Sequence, residues 1–555
     1  MTASTPVLIV GGGPVGLALA GDLGWRGLSC ILVEQSNGAI YQPKMDLVGV
    51  RTMEFCRRWG IVPWVEACPY PRDLKQDYVW VSAIAGWEFG REPFPTLAEE
   101  RPPKQSPQHR ERCPQDMFDP ILARFARSFE SVTLRYDCEL LSFEEHEDHV
   151  RARLRNAATG SEEEVDCAYL VGCDGAASTV REKLGIPMSG NPVLTYTTNV
   201  IFRCQGWLDL HDKGPAYRFI MIGPEGTYAT IVAINGRDRF RFSIVGDETK
   251  RSYDEAEVRA LILKAVGKAF DFEILSIVPW IRRELVADSY GSARALIAGD
   301  AAHLTSPTGA FGMNMGIQDA VDLGWKLEGA VRGWGRPDLL ASYETERRPV
   351  AIRNVREASG NLRRMLSPRD KKPPPEAFAP GPQGDAARKE FGQLFTEIMH
   401  REWFTLGIHL GYRYEGSPVI VPDGSSEPPD DPEHYVQTAR PGHRAPHVWL
   451  DDGRSTLDLF GRGFVLLRLG AAPPEGARLI DAAAAAKLPL MVETLAEPSL
   501  LAAYEKPLVL VRPDGHVAWR GDAEPADAAR VIATVTGRRG AAPARAQGQI
   551  AEEAR

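Results

Sequence analysis

The sequence predicts an α/β fold: a parallel sheet covered on both faces, interrupted by an antiparallel sheet and followed by a second, smaller α/β domain. Three observations carry this reading. Apolar strands running into glycine turns recur at residues 6–16, 168–175 and 295–300. Aromatic and β-branched segments fill the interval between the second and third of these units. Strand signals return after residue 460, beyond a proline-rich stretch.

The first unit is the most informative. Pro6-Val7-Leu8-Ile9-Val10 is a wholly apolar run, as expected of a parallel strand buried on both faces. It enters Gly11-Gly12-Gly13-Pro14-Val15-Gly16, then a helix over Leu17 to Trp25, then a second buried strand, Cys30 to Val33, ending at Glu34 and Gln35. A G-x-G-x-x-G placed between strand and helix is the Rossmann-like dinucleotide fingerprint. Gly11 makes the tight turn, Gly13 lets backbone approach a pyrophosphate, and Gly16 lets helix pack on strand. Pro14 suits the first helical position, and the helix N-terminus offers N–H groups to phosphate. Glu34 stands 23 positions after Gly11, where an acid meets ribose hydroxyls.

The second unit is Ala168 to Gly175, closing on Asp174-Gly175, with Arg181 following. The third is Ala295 to Asp300, continuing through His303, Pro307, Gly309 and Gly312-Met313-Asn314 into a helix read from Gly316 to about Trp334. A carboxylate at a strand end before a loop and helix is a ligand-binding arrangement in α/β sheets. Taken singly, Asp174 and Asp300 read equally well as turn or helix-cap residues.

Taken together, these motifs resemble the single-component FAD-dependent aromatic hydroxylases, the group of p-hydroxybenzoate hydroxylase and phenol hydroxylase. The resemblance covers roughly residues 5 to 350. It implies FAD as the resident cofactor, with Asp300 on its ribitol chain, Asp174 near both flavin and incoming NAD(P)H, and Pro307, Gly312, Met313 and Asn314 around the ring. It also implies that Arg51, Arg112 and Gln115 lie on the cofactor side. Only one dinucleotide fingerprint is present, so NADH or NADPH is expected as a transient reductant. The implied reaction places one atom of O2 on an activated, phenolic ring through a flavin C4a-hydroperoxide. A same-fold flavoprotein performing epoxidation, Baeyer–Villiger oxidation or reduction, and a flavin-binding module without turnover, stay open as alternatives.

A phenol with a pKa of about 10 costs roughly 4 kcal/mol to ionise at pH 7, so a group that helps remove its proton is expected. Asp46 resembles the catalytic Asp of phenol hydroxylase in its placement before Arg51; a helix cap is the competing reading. His303 is the other candidate, though its motif suggests packing beside FAD. By the same resemblance Trp280 falls near a substrate-contacting Tyr; core packing for Trp280 and a surface position for Arg282 are the simpler readings.

The expected domains are 1–190 and 286–365 for FAD, with 191–285 an antiparallel sheet roofing the substrate. Tyr78, Trp80 and Trp87 lie on an earlier segment that is a candidate extra strand. A linker and helical segment is read over 366–435, and a domain resembling the thioredoxin-like tail of phenol hydroxylase over 436–540. Residues 541–555 read as a disordered tail. All eight cysteines precede residue 205, so the tail domain cannot perform dithiol chemistry; a structural or homodimer contact role is expected.

Composition narrows the partners. A net charge of -9 with scattered Lys and Arg lacks the footprint of a nucleic-acid binder. Val7 to Trp25 is too interrupted for a membrane span. No C-x-x-C pair occurs, which predicts reduced thiols, no metal site and a cytoplasmic location.

Overall fold

The computed structural model describes residues 3–41, 43 and 45–537. It divides into two compact units. The first joins Met1–Gly324, Arg347–Tyr412 and Pro428–Gln437; the second joins Trp325–Glu346, Arg413–Glu427 and the described residues from Thr438 on.

In the first unit, five strands run parallel in the order Val132–Arg135, Cys30–Val33, Ala3–Val10, Glu162–Gly172 and Ala295–Ile297. The earlier half of Glu162–Gly172 also pairs antiparallel with Val150–Asn156, which pairs with Cys138–Glu145. Val7, Leu8 and Ile9 are fully buried, as a two-sided strand requires. Helix Pro14–Trp25 packs against helix Gln115–Arg127, with Gly21 and Gly24 set against Phe125 and Phe129. Its one interior charge, Asp22, is matched by Arg26 at 2.7 Å and the Trp59 indole at 3.0 Å. Among the described residues no helix is long and apolar enough to cross a membrane, and all eight cysteines carry free thiols.

The second sheet has eight strands in the order His303–Leu304, Glu273–Ala287, Met188–Arg203, Arg239–Asp247, Gly226–Ala233, Arg218–Gly223, Tyr78–Val81 and Glu88–Glu92. One face is apolar: Val200, Phe202, Phe219, Met221, Phe240 and Phe242 pack with Val258, Ile262 and Val266 of helix Glu255–Val266. That helix starts on a capping box, Asp254 with Glu257, and stops at left-handed Gly267. The other face, one residue out of phase along each strand, carries polar and aromatic side chains. The sheet thus extends beyond 191–285. Tyr78 and Trp80 lie on its seventh strand, whereas Trp87 is 40% exposed.

One other sequence expectation differs from the structure. The helix read from Gly316 begins at Phe311, because the glycines of 309–316 do not interrupt it. Within the segment read as linker and helix over 366–435, the helix is Pro382–Trp403, and it packs onto the second sheet. In helix Pro382–Trp403, Phe391, Phe395, Met399 and Trp403 recur every four residues and meet Trp80 and Phe89. Trp80 and Trp403 stack at 5.2 Å.

In the second unit, Phe464–Leu469 lies between Leu490–Leu495, parallel to it, and Leu508–Val511, antiparallel; Val517–Gly521 pairs beyond. Helices Ala477–Ala485, Pro498–Tyr504 and Ala528–Val535 complete the βαβ–ββα order of a thioredoxin-like fold. Period-two burial gives two cores: Leu466, Leu508 and Leu510 face Trp325, Trp334 and Val531, while Val465, Leu467 and Val509 face Leu500 and Tyr504. The expected disordered tail, 541–555, lies outside the described residues.

Inside this unit Glu346 is fully buried among Lys326 at 2.6 Å, Arg512 and the Ser417 hydroxyl. Burial alone would raise its carboxyl, but Arg512 and Lys326 outweigh that and hold it well below its ordinary 4.5. A lowered folded-state pKa means the stabilisation is complete above the unfolded value and drains away as pH falls toward the folded one. Glu346→Gln is expected to cost roughly 3–5 kcal/mol, since Lys326 and Arg512 each lose a buried carboxylate, although Asp514 still holds Arg512 at 2.6 Å. It should also flatten the acid limb of the stability profile below about pH 4.5, read by urea unfolding at stepped pH. An unchanged acid limb would contradict this account.

Candidate active site

The glycine turn of residues 11–16 folds as its spacing requires. Gly11 adopts φ +110°, and a Cβ there would sit 2.4 Å from the Cys173 carbonyl oxygen. Gly16 leaves only 2.0 Å between such a Cβ and the Gly11 carbonyl oxygen. Gly13 is different: among the described residues nothing beyond its chain neighbours lies within 4 Å of its Cβ position, and it lines a cavity of about 830 Å³ together with Pro14 and Val15. The helix behind it has proline in its first turn and no side-chain cap, so its leading N–H groups are open to an anion. Glu34 closes the turn, accepting from Gly12 N at 2.7 Å with one oxygen and from Ser36 with the other. Gln35 beside it is exposed.

The other two units meet this turn. Asp174 accepts from Val180 N at 3.1 Å through Oδ2, while its buried Oδ1 has no partner among the described residues. Arg181 ties this loop to the third unit by donating to the carbonyls of Ala301 and Ala176, each at 2.9 Å. Asp300, Pro307, Gly312 and Met313 line the cavity. The open cradle at Gly13, the uncapped helix end and the unsatisfied Asp174 oxygen together suit a dinucleotide such as FAD.

Some candidates are elsewhere. His303 is fully buried, does not line the cavity, and its Nε2 meets Asp319 Oδ2 at 2.7 Å. Asp319 also accepts from Arg347 at 2.8 Å and from Gly299 N at 3.2 Å. His303 therefore braces the Gly299-Asp300 turn rather than reaching a substrate. Arg51 is 2% exposed, ion-paired with Glu54 at 2.7 Å and held by the Tyr412 hydroxyl, because helix Val50–Trp59 turns it inward. Asn314 is a fastener: Oδ1 accepts from Gly49 N and Thr52 Oγ1, and Nδ2 donates to the Leu47 and Ala310 carbonyls. Every hydrogen-bonding position of its amide is engaged.

Asp46, Arg112 and Gln115 are brought together on the cavity wall. A two-strand ladder pairs Leu47 with Arg112, and backbone bonds run from Cys113 N to Asp46 O and from Gln115 N to Met45 O. Arg112 is buried, pairs with Asp46 Oδ1 at 3.0 Å, and also donates to Gln76 and the Tyr78 hydroxyl. Its guanidinium lies 3.4 Å from the centre of the Tyr217 ring. Tyr217 donates a short hydrogen bond to Asp46 Oδ2. Burial outweighs Arg112 and pushes the Tyr217 hydroxyl well above its ordinary pKa, so it keeps its proton. The Gln115 amide donates to Asp119 at 3.1 Å.

The polar face of the second sheet closes the opposite side with Thr197, Asn199, Thr230, Arg241, Ser243, Trp280 and Arg282. Trp280 lines the cavity. Arg282, read from sequence as a surface charge, is 5% exposed.

Residues 4–358 match the model of the FAD binding domain, and 438–539 match that of the aromatic-ring hydroxylase C-terminal region. The chain belongs to the FAD-dependent aromatic-ring hydroxylases. The FAD-dependent monooxygenase apdD of Emericella nidulans is 31% identical over 96% of this chain and 90% of its own. Tetracenomycin B2 monooxygenase-dioxygenase of Streptomyces olivaceus is 31% identical over 96% and 98%. The solved structure of RebC, soaked with chromopyrrolic acid and holding 7-carboxy-K252c, superposes with a TM-score of 0.90 at 39% identity, covering 97% of this chain and all of that one. This hydroxylase is accordingly an FAD-dependent monooxygenase acting on aromatic substrates.

Sequence reading of this hydroxylase missed Tyr217, Asp319 and the second-sheet arginines. Tyr217 stands just before strand Arg218–Gly223, and its bond to Asp46 spans 171 positions. Asp319 and Arg347 lay inside helices with nothing local to mark them. For Arg241 the clue was present: Arg239-Phe240-Arg241-Phe242-Ser243 alternates, so Arg241 and Ser243 share the face opposite the phenylalanines.

Proposed function

We propose that this hydroxylase acts on a phenol-bearing ring of a multi-ring substrate, with Asp46, Arg112 and Tyr217 handling the phenolic proton. The observation that carries this is the Asp46–Arg112–Tyr217 cluster on the wall of an 830 Å³ cavity. The same cavity is lined by Gly13, Asp300 and Gly312, so it is shared by the cofactor and the substrate, with the second-sheet face on the substrate's side. Relatives named for tetracenomycin B2 and 7-carboxy-K252c point in the same direction.

Gly13, Pro14, Asp174, Asp300, Pro307, Gly312 and Met313 are the residues we assign to FAD. Bound FAD, reduced by NADH or NADPH, supplies the activated oxygen atom. The chain's own contribution is to position the ring and manage its proton. Tyr217 gives its hydrogen to Asp46, so its oxygen lone pairs are free to accept the substrate O–H. Asp46 is anchored by Arg112 and accepts the Tyr217 hydrogen. The cluster therefore acts as a relay and a dipole, moving the proton through Tyr217 toward Asp46 while Arg112 balances the charge. His409, lowered to about 4 by burial and by Arg110, lines the same cavity as a neutral imidazole.

The test is a screen of bicyclic and tricyclic phenols against the yellow holoenzyme. We expect substrate-stimulated NAD(P)H oxidation, one O2 consumed per turnover, and products heavier by one oxygen atom. Stimulation only by non-phenolic ketones or alkenes, giving esters or epoxides, would replace this reading with the Baeyer–Villiger or epoxidase alternative.

A further inference from the structure

Behind the segment that carries Arg112, two thiols stand together. Seven of the eight cysteines are buried, and Cys68 alone is partly exposed. It sits in the bend after helix Val62–Glu66, its Sγ 3.5 Å from the Arg112 carbonyl oxygen and 3.7 Å from Met117 Sδ. Those two residues bracket Cys113, whose thiol is fully buried and hydrogen-bonded to that of Cys68. Strand alternation explains the placement: Arg112 lines the cavity, whereas its neighbours Glu111 and Cys113 do not. Glu111 is held by Arg72 at 2.9 Å, and Arg72 also donates to the Glu66 carbonyl at 3.3 Å. The bend bearing Cys68 is thereby latched to the strand that leads into Cys113.

The two thiols are chemically unequal. The bond from Cys113, helped by Arg72, holds Cys68 below its ordinary 9.0 against the pull of burial and Glu111. The same bond, together with burial, pushes Cys113 upward, so Cys113 keeps the proton. An accessible thiol that ionises readily beside a buried, protonated one suits a two-step oxidation, in which the first sulfur is oxidised and the second displaces the oxygen. Cys68 also lies outside helix and strand, where backbone adjusts most easily to the geometry of a disulfide.

We propose that Cys68 and Cys113 form a reversible redox site, closed to a disulfide by hydrogen peroxide and reopened by a dithiol reductant. The Cys68 sulfur attacks one peroxide oxygen, the O–O bond breaks, and the departing hydroxide becomes water with the proton that Cys68 gave up. Cys113 then attacks the sulfenic sulfur of Cys68 and its S–O bond breaks; that hydroxide takes the Cys113 proton. The two thiols lose two electrons, the peroxide gains them, and two water molecules leave. Closure draws the backbone at Arg112 toward the bend. The consequence for turnover rests on the role given to Arg112 above: its displacement from Asp46 should slow product formation roughly 10- to 100-fold.

The experiment treats FAD-loaded full-length enzyme with hydrogen peroxide, removes the excess with catalase, alkylates free thiols in denaturant and maps the peptides by mass without reduction. The expected product is a cross-linked peptide joining Cys68 to Cys113, lighter by two hydrogen atoms and lost after dithiothreitol. Cys68→Ser should give no cross-link while keeping the activity of the untreated enzyme. In Cys113→Ala, peroxide should instead add oxygen to Cys68, because no thiol remains to resolve the sulfenic acid. Wild-type enzyme in which both thiols are still alkylated after peroxide, in which Cys68 only gains oxygen, or in which Cys113 bridges to Cys56 would overturn the pair. Failure of the parent reading looks different: the Cys68–Cys113 bridge forms and reopens as expected, but product formation is unchanged, which counts against Arg112 and not against the redox site.

Discussion

Substituting Gly13 by valine is expected to give a folded but colourless protein. Among the described residues no atom beyond its chain neighbours lies within 4 Å of the Gly13 Cβ position, and its φ of -76° with ψ of -178° is extended backbone open to any residue. The fold should therefore tolerate the side chain, with a melting curve matching that of the flavin-free wild type. What the isopropyl group occupies is the space through which backbone would approach the pyrophosphate. We expect at least about a 100-fold loss in FAD affinity, since three displaced heavy atoms obstruct several charge-assisted contacts at once. Gly16→Val is the contrasting control: its Cβ would fall 2.0 Å from the Gly11 carbonyl oxygen, so it should fail to fold. A yellow Gly13→Val enzyme with normal FAD content would remove this stretch from the cofactor site.

The second large effect is expected at Asp46. Asp46→Asn leaves Arg112 buried without its carboxylate and gives Tyr217 a weaker acceptor. Product formation should fall by roughly 10²–10⁴, the range associated with a positioned proton acceptor. Stability should fall by about 3–5 kcal/mol from the orphaned guanidinium. Tyr217→Phe separates the two effects, because the Asp46–Arg112 pair and the ring under Arg112 both survive. If the hydroxyl relays the proton, this variant loses rate with little loss of stability, and its activity recovers as pH approaches the phenol's own pKa. A Tyr217→Phe enzyme with wild-type kcat and pH profile would sink the relay.

What could be read in advance follows from the range of the interactions. The first strand, the glycine turn and the following helix were legible because their pattern lies in one stretch: Gly16 answers to the Gly11 carbonyl five residues before it, whereas the carbonyl that Gly11 must avoid belongs to Cys173, in the second strand-and-turn unit. The thioredoxin-like order of the tail was legible because its strands are short apolar runs between turns. Arg51 and His303 were assigned by position in motifs, and position says nothing of rotamer. A helix face turned Arg51 toward Glu54, and a partner 16 residues away claimed His303. Arg282 was misjudged because a lone arginine in a strand usually faces water; only the neighbouring strands show that its side of the sheet is covered. The helical part of 366–435 was legible but not what it packs against: the four-residue spacing of Phe391, Phe395, Met399 and Trp403 is a buried helical stripe, and the flanking prolines drew attention from it.

The provenance of the tail unit's core has a practical corollary. Its apolar centre includes Trp325, Trp334 and Leu339, contributed from the middle of the chain, and its ionic centre joins Lys326 and Glu346 to Arg512. A shortened enzyme ending near residue 437 would expose two indoles and strand a lysine–glutamate pair whose arginine is gone. The thioredoxin-like portion is thus not a detachable appendix, and deletion studies would measure misfolding and aggregation before they measured any role in turnover.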